Sequence, residues 1–369
     1  MNHISIELLG LTNYRNYDRL KVAFGSGLNL ITGMNGAGKT TILDAIYYLC
    51  NGKSFFTHLD RHIYKTNQEF FRITGQFLKA EANLDMTIVS SLGKKKTLSI
   101  DEKPLKSIVE LMGVIPAFAI APKDILILLD SSQARRRLLD KTISHSDKHY
   151  LHNLLKYNKT LKLRNAYLKE ASKKGISDST YLDSLDVSLA EPARYIYKAR
   201  SEHISALITQ FEVLYKQLSD DKESVSLEYT SQLSDTTLVQ LLKTDLRKDL
   251  ITAKTNSGIH KDDLYISIDG QAIKKYGSQG QLKTAIIALK LAQMQWMESI
   301  TSVVSILLLD DIFDKLDRQR VKQLLAKVCQ EGRQVFISDT DNERLLPIFG
   351  ELNLEYNQLI IADGTVSNG

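Results

Sequence analysis

Gly33-Met34-Asn35-Gly36-Ala37-Gly38-Lys39-Thr40 is the stretch on which the fold turns. A glycine, four further residues and then Gly-Lys-Thr form the pattern of a phosphate-binding loop. The apolar run Leu28 to Ile31 before it reads as a strand and Thr41 to Leu49 after it as a helix, which is the setting that pattern requires. Its glycines let the backbone wrap closely, so that successive N–H groups and the helix N-terminus aim at negative charge. The candidate binding set is Gly33, Asn35, Gly36, Ala37, Gly38, Lys39, Thr40 and Thr41. Lys39 is expected to reach the β- and γ-phosphates, and Thr40 to give its hydroxyl to Mg²⁺.

Two further stretches fit this loop. Ile306-Leu307-Leu308-Leu309-Asp310-Asp311 is an apolar strand ending in two carboxylates, the form of a Walker B element. Asp310 is expected to hold the metal and Asp311 to polarise the attacking water, so Asp311 and Lys39 are the candidate catalytic residues. Consecutive acids are common at strand ends, and the pairing with the loop at Gly33 is what gives these two meaning. Tyr276-Gly277-Ser278-Gln279-Gly280-Gln281, ahead of the helical run Leu282 to Met297, resembles the signature motif of ABC-type ATPases. Taken alone it is a glycine-serine turn capping a helix. The resemblance implies that Ser278, Gln279, Gly280 and Gln281 face a γ-phosphate held by an opposite subunit. Leu316-Asp317 matches the D-loop position, which places Asp317 at that same interface.

Further motifs point to one family. Asn13 to Tyr17, Asp44-Ala45-Ile46, Gly52-Lys53-Ser54-Phe55, Arg135 to Asp140, Arg164 to Leu168 and Gly258 to Leu264, together with the stretches above, all resemble motifs of the RecF family and stand in its order. The resemblance implies an α/β fold: an ABC-type, SMC-like ATPase head with mixed sheets and an inserted, mainly helical second lobe. It also implies ATP and Mg²⁺ as cofactors, weak DNA-dependent ATP hydrolysis and an ATP-dependent homodimer. The implied partners are DNA, whether single-stranded, duplex or gap junction, and the proteins RecO and RecR in loading recombinase at gaps. It assigns no DNA-contacting residue. In SMC-like heads a basic residue near Arg15 approaches the nucleotide; read alone, Arg15 is an exposed loop arginine. Three departures stand out: Gln279 where transporter ATPases carry glycine, Asp339-Thr340-Asp341 where they carry a switch histidine, and no Q-loop glutamine around Pro122-Lys123-Asp124.

The rest of the chain frames these motifs. Short apolar runs from Ile4 to Ser90 read as strands, and the three lysines after Gly93 as a solvated hairpin turn. From about Asp124 the period becomes helical, with Tyr150, Leu154, Tyr157, Leu161 and Leu168 on one stripe. Lys156, Lys159, Lys162, Lys169 and Lys173 fall mainly on the opposite side, which suits a solvated face as well as a DNA-facing one. Glu191-Pro192 marks an expected helix start. The arginines at 135 to 137 suit contact with DNA phosphates or pairing with Asp130, Asp140 and Asp147, and pairing is the expectation. Strands and helices alternate again after His260, so one head is assembled from both chain ends: residues 1–123 and 258–369, around a helical lobe of residues 124–257.

Composition sets the outer limits. The 369 residues are 43% hydrophobic and 25% charged, ordinary for a globular protein. A net charge of +5 permits a polyanionic partner without requiring one. Cys50 and Cys329 stand far apart without metal-ligand spacing, and no long apolar segment is present, so a cytoplasmic protein without a membrane partner is expected. A transporter motor fits poorly, because the whole helical lobe separates Lys39 from Ser278. A chromosome-organising SMC protein needs long heptads that the middle section lacks.

Overall fold

A computed structural model describes residues 3–57, 59–174, 179–221, 223–314, 316–329, 332–340, 343–362 and 364–369. These divide into two units, residues 1–124 with 298–369, and residues 125–297. The first unit opens with β1 (Ile4–Tyr14), β2 (Tyr17–Ala23), β3 (Leu28–Gly33), α1 (Lys39–Asn51), β4 (Phe70–Lys79), β5 (Ala82–Ser91), β6 (Thr97–Ile100), β7 (Lys103–Pro104), α2 (Ile108–Leu111) and β8 (Ala117–Ile120). The second contains α3 (Ile125–Leu129), α4 (Ser132–Ser146), α5 (Lys148–Lys174), α6 (Ser179–Ser219), β9 (Val225–Thr230), α7 (Leu238–Thr244), α8 (Leu246–Thr252), β10 (Asp263–Ile268), β11 (Gln271–Ala272), α9 (Ile273–Tyr276) and most of α10 (Gln279–Thr301). The first unit closes with β12 (Ile306–Asp310), α11 (Arg318–Val328), β13 (Val335–Asp339), α12 (Leu346–Glu351), β14 (Tyr356–Ala362) and β15 (Thr365–Asn368).

Two sheets build the first unit. One runs β2-β1-β4-β5-β6-β7, antiparallel throughout. The other runs β15-β14-β3-β13-β12-β8, parallel except for its β15 edge. Its inner strands are apolar without alternation, because a parallel strand between covered faces is buried on both sides; Ile306 to Leu309 and Val335 to Ile337 are all inaccessible. Helix α1 joins both sheets through one core. Ile42, Leu43, Ile46 and Leu49 are buried together with Leu9, Leu11 and Ile73 of the first sheet and Ile31, Leu308 and Phe336 of the second. A helix apolar around most of its circumference can only be placed between two such layers.

The second unit pairs α5 with α6 around Tyr150, Tyr157, Leu189, Ala193 and Ile196. Its interior also holds two arginines. Arg164, wholly inaccessible, bonds Asp186 and Asp249 at 2.6 Å each and Thr255 at 2.9 Å. Arg200 bonds Asp140 and Asp262 at 2.7 Å each and the Ile259 carbonyl at 2.8 Å. A planar guanidinium satisfies several carboxylate oxygens at once, which suits it to a buried position.

Four sequence expectations differ from this structure. Pro192 lies inside α6 instead of starting a helix. Leu189 on one side of it and Ala193 and Ile196 on the other share one buried core, and that packing offsets the roughly 3 kcal/mol an interior proline costs. The contact boundary falls at 297/298 and not at 257/258, because β10 pairs with β9 along its whole length and keeps the following residues with the helical unit. Lys96 is no solvated turn residue: its ammonium lies 4.5 Å from the Tyr48 ring centre, 2.8 Å from Asp60 and 2.9 Å from the Gly52 carbonyl. Arg135 pairs with Asp263 at 2.7 Å and Arg136 with the Asp262 carbonyl at 2.5 Å, whereas Asp140 is taken by Arg200.

His203 of α6 offers a stability test. It is 2% exposed, both ring nitrogens lack a hydrogen-bond partner among the described residues, and its ring meets Trp296 at 3.9 Å. Burial pushes its pKa down to about 3, and that of His260 to about 4. Both stay neutral in the folded chain while the unfolded chain takes up protons below about pH 6.5, so stability falls as the pH drops from there toward these values. We expect His203→Phe to be neutral or stabilising at pH 7, since it removes unpaired buried polar atoms, and to flatten the acid limb of stability between pH 6.5 and about 3. Urea denaturation across that range checks both; an acid limb as steep as the parent's refutes the assignment.

Candidate functional site

The loop after β3 turns three times through backbone conformations that favour glycine: φ is 151° at Gly33, 82° at Gly36 and 119° at Gly38. At Gly33 a Cβ would overlap the Ile361 carbonyl, and at Gly38 it would overlap the Tyr17 hydroxyl and lie 2.7 Å from the Asn16 amide. Gly36 is required by its backbone alone, for a Cβ there would meet nothing within 4 Å. Asn16 steadies the loop by donating to the Ala37 carbonyl at 3.3 Å and accepting the Thr41 hydroxyl at 2.9 Å. The Lys39 ammonium is folded back on the loop, donating to the carbonyls of Gly33 at 2.6 Å and Met34 at 3.0 Å. Burial lowers its pKa, while Asp311, Asp310 and Asp339 act in the opposite direction.

The carboxylates reach the loop across one intervening strand. β13 lies between β3 and β12, with Ser338 opposite Ile31 on one side and Asp310 on the other. Thr40, on the first turn of α1, donates its hydroxyl to both Asp310 oxygens at 2.9 and 3.1 Å. Ser338 donates to Asp310 Oδ1 at 2.6 Å, and its hydroxyl and carbonyl accept the Asp311 N–H at 3.2 and 3.1 Å. Asp311 itself has a φ of 49°, in the left-handed region that an aspartate enters more readily than most residues. Burial raises the Asp310 pKa, with the Ser338 and Thr40 hydrogen bonds opposing it. A buried carboxylate beside a hydroxyl is a hard-oxygen set that suits a divalent cation keeping several waters. Ser338 escaped the sequence reading because a serine ending an apolar strand carries no pattern of its own.

Three of the RecF-like motifs turn out to meet at Asp44. Its inaccessible carboxylate accepts Tyr14 at 3.0 Å, Arg15 at 2.6 Å, Ser54 at 2.8 and 2.9 Å and the Phe55 N–H at 3.0 Å. Arg15 is therefore no free loop arginine. Its guanidinium also lies 5.5 Å from the Phe56 ring, over which Lys123 sits at 4.1 Å. Asp339 is buried and pairs with Arg344 at 3.2 Å, and Asp341 lies outside the described residues.

The signature-like residues belong to the second unit. Ser278 and Gln281 form a reciprocal cap on α10: Gln281 accepts the Ser278 N–H at 2.8 Å and donates its own N–H to the Ser278 hydroxyl at 3.2 Å. Gln281 is held in turn by Glu223 at 3.1 Å, which accepts the Tyr215 hydroxyl at 2.5 Å. These supporting residues lie too far from the motif in sequence to be read with it. Asp317 caps α11 by accepting the Arg320 N–H at 2.9 Å.

Comparisons with known proteins agree with this geometry. A family model described as the RecF/RecN/SMC N terminal domain matches residues 5–347. A protein of Cytophaga hutchinsonii named DNA replication and repair protein RecF is 38% identical over 98% of this chain and 96% of its own. The chain belongs to the RecF family. A protein of the same name from Flavobacterium johnsoniae is 39% identical over 91% of this chain and 94% of its own. A solved structure of the recombination mediator protein RecF-ATP in the RecFOR pathway superposes with a TM-score of 0.88 at 30% identity, covering 99% of this chain and 98% of that one. An Smc head domain from Pyrococcus yayanosii, at 12% identity, shares the fold alone with a TM-score of 0.60, covering 100% of this chain and 97% of that one. The chain thus has the head fold common to RecF-family and SMC proteins.

The packing under the loop predicts a coupled pair of substitutions. Gly38→Ala should lower stability by about 2–4 kcal/mol, from positive-φ strain and overlap with the Tyr17 hydroxyl. Removing that hydroxyl in a Gly38→Ala, Tyr17→Phe chain should restore only part of the loss, since the backbone strain stays and the Cβ still meets the Asn16 amide at 2.7 Å and the Tyr17 ring carbon at 2.8 Å. Thermal unfolding of the two single variants and the double variant checks this, and strictly additive losses would refute it.

Proposed function

We propose that this chain is an ATP-switched DNA-binding protein of recombinational repair, in which ATP joins two copies and slow hydrolysis releases them. The observation that carries the reading is the junction of Thr40, Asp310 and Ser338 beside the Lys39 loop. Its support from outside the chain is the likeness to a RecF structure described with ATP and to proteins named for DNA replication and repair.

Each residue has a distinct task in this reading. The N–H groups of residues 35 to 41 receive phosphate oxygens, and Lys39 leaves the Gly33 and Met34 carbonyls to neutralise the β- and γ-phosphates. Thr40 and Asp310 hold Mg²⁺, which supplies charge neutralisation at the transferred phosphoryl group. Asp311, oriented by its N–H bonds to Ser338, polarises the attacking water. Ser278 and Gly280, with the N-terminus of α10, complete the γ-phosphate site of a second copy, and Asp317 faces that copy beside it. ADP lacks the group these residues would hold, so it supports association poorly. DNA at gaps is the proposed substrate, with RecO and RecR as the proteins that act with it in loading recombinase. DNA stimulates only weak hydrolysis, as suits a timing device in the cytoplasm.

Lys39→Met should weaken ATP binding about 10- to 100-fold by calorimetry. Asp310→Asn should weaken only the Mg²⁺-dependent part of that binding. Asp311→Asn should bind ATP normally and hydrolyse it at least about 100-fold more slowly, so that it accumulates as the dimer. Ser278→Arg should bind ATP and remain monomeric. Analytical ultracentrifugation with ATP, ADP or no nucleotide reads the association directly. A parent chain that stays monomeric with saturating Mg-ATP, with and without DNA, sinks the switch.

A further inference from the structure

Helix α5 carries seven lysines and a single acid, Glu170, in its 27 residues. Its buried side is formed by Tyr150, Asn153, Tyr157, Arg164, Leu168 and Ala171. At 100° per residue, Lys148, Lys159, Lys162, Lys169 and Lys173 all lie within about 50° of the opposite direction. All five are exposed. Glu170 is taken by Lys174 at 2.5 Å, and none of the five has an ion pair or hydrogen bond among the described residues.

A solvated helix face ordinarily mixes charges, because acids and bases four residues apart stabilise one another and like charges repel. This face forgoes that stabilisation along its whole length. From Lys148 to Lys173 it extends about 37 Å, close to one turn of duplex DNA at roughly 34–36 Å. Leu155 and Leu163 are exposed beside the lysines, and the line carries no Tyr, Phe or Trp, its one ring being the exposed His152 imidazole. Proteins that grip single strands without sequence preference stack bases on aromatic rings, so this face suits the phosphates of a duplex better.

We propose that the outward face of α5 is a contact surface for the duplex DNA backbone, with Lys148, Lys159, Lys162, Lys169 and Lys173 each meeting phosphate. The proposal rests on the reading that this chain binds DNA and adds the surface that does so. Lysine ammonium groups on long, free stems can each reach a phosphate without fixing a sequence, so the contact positions the duplex and reads no bases.

The test is the salt dependence of binding. Fluorescence anisotropy of a labelled duplex of about 30 base pairs, with the full chain and saturating Mg-ATP, would be followed from about 50 to about 200 mM salt. The quadruple variant Lys159→Gln, Lys162→Gln, Lys169→Gln, Lys173→Gln should lower the slope of log affinity against log salt by about 3 to 4, near 0.9 for each phosphate that is no longer neutralised. At about 100 mM salt its affinity should fall at least about tenfold, with ATP affinity unchanged. The control carries the same charge change at exposed lysines of the first unit: Lys94→Gln, Lys95→Gln, Lys103→Gln, Lys106→Gln. A parental slope in the α5 variant overturns the proposal and leaves the face to an acidic protein or to solvent. An equal loss in the control overturns it as well, since net charge would then be the cause. A parent chain that binds no duplex at all overturns the DNA-binding reading beneath it, an outcome distinct from both.

Discussion

Helix α1 is buried along its whole length, with Thr40 alone keeping partial exposure, and that demand organises the first unit. Two sheets cover it, and the residues that touch them are aliphatic on nearly every side. At its N-terminus the same helix presents Lys39 and Thr40 to a loop whose turns only glycine accommodates without strain. Asn16 holds that loop through the Ala37 carbonyl, and the Tyr17 hydroxyl lies where a Cβ at Gly38 would fall.

The polar groups around this opening are arranged by strand register. Because β13 stands between β3 and β12, Ser338 faces both the loop strand and the carboxylate strand. Its one hydroxyl donates to Asp310 and accepts from the Asp311 backbone, which separates the directions in which the two neighbouring acids work. A second buried carboxylate, Asp44, fixes the approach of the β1–β2 turn through Tyr14 and Arg15. Asp44 and Asp310 are both buried, and each is satisfied from several sides.

How much of this was legible depended on whether a residue's role is local. The glycines of the loop, the apolar strand ahead of Asp310 and the cap at Ser278 each act within a few positions, so spacing alone exposes them. Ser338 and Glu223 act across the fold, and nothing next to them in sequence marks that; Asn16 stands in a recognisable motif whose spacing does not say what it touches. The same limit explains the misplaced helix start at Pro192: the local cost of proline is readable, whereas the core of Leu189, Ala193 and Ile196 that outweighs it is assembled from distant parts. Residues 258–297 group with the helical unit for a reason of the same kind, since β10 looks like the first strand of a new domain until its partner β9 is known.

Helix α5 brings the two uses of positive charge into one element. Arg164, on its inner side, has no solvent access and meets two carboxylates and a hydroxyl; the five lysines on its outer side meet no partner among the described residues. The division follows from the chemistry of the two cations. A guanidinium is weakly hydrated and spreads its charge over a fixed fork, so carboxylates on α6 and α8 can replace the water it loses. An ammonium is compact and strongly hydrated, and keeps its solvation at the end of a mobile stem. Inside, the charge locks α5 to its neighbours and fixes its rotation. Once that rotation is fixed, the lysine stripe has a fixed direction too, so a buried ion-pair cluster with no ligand of its own determines which way the exposed charge points.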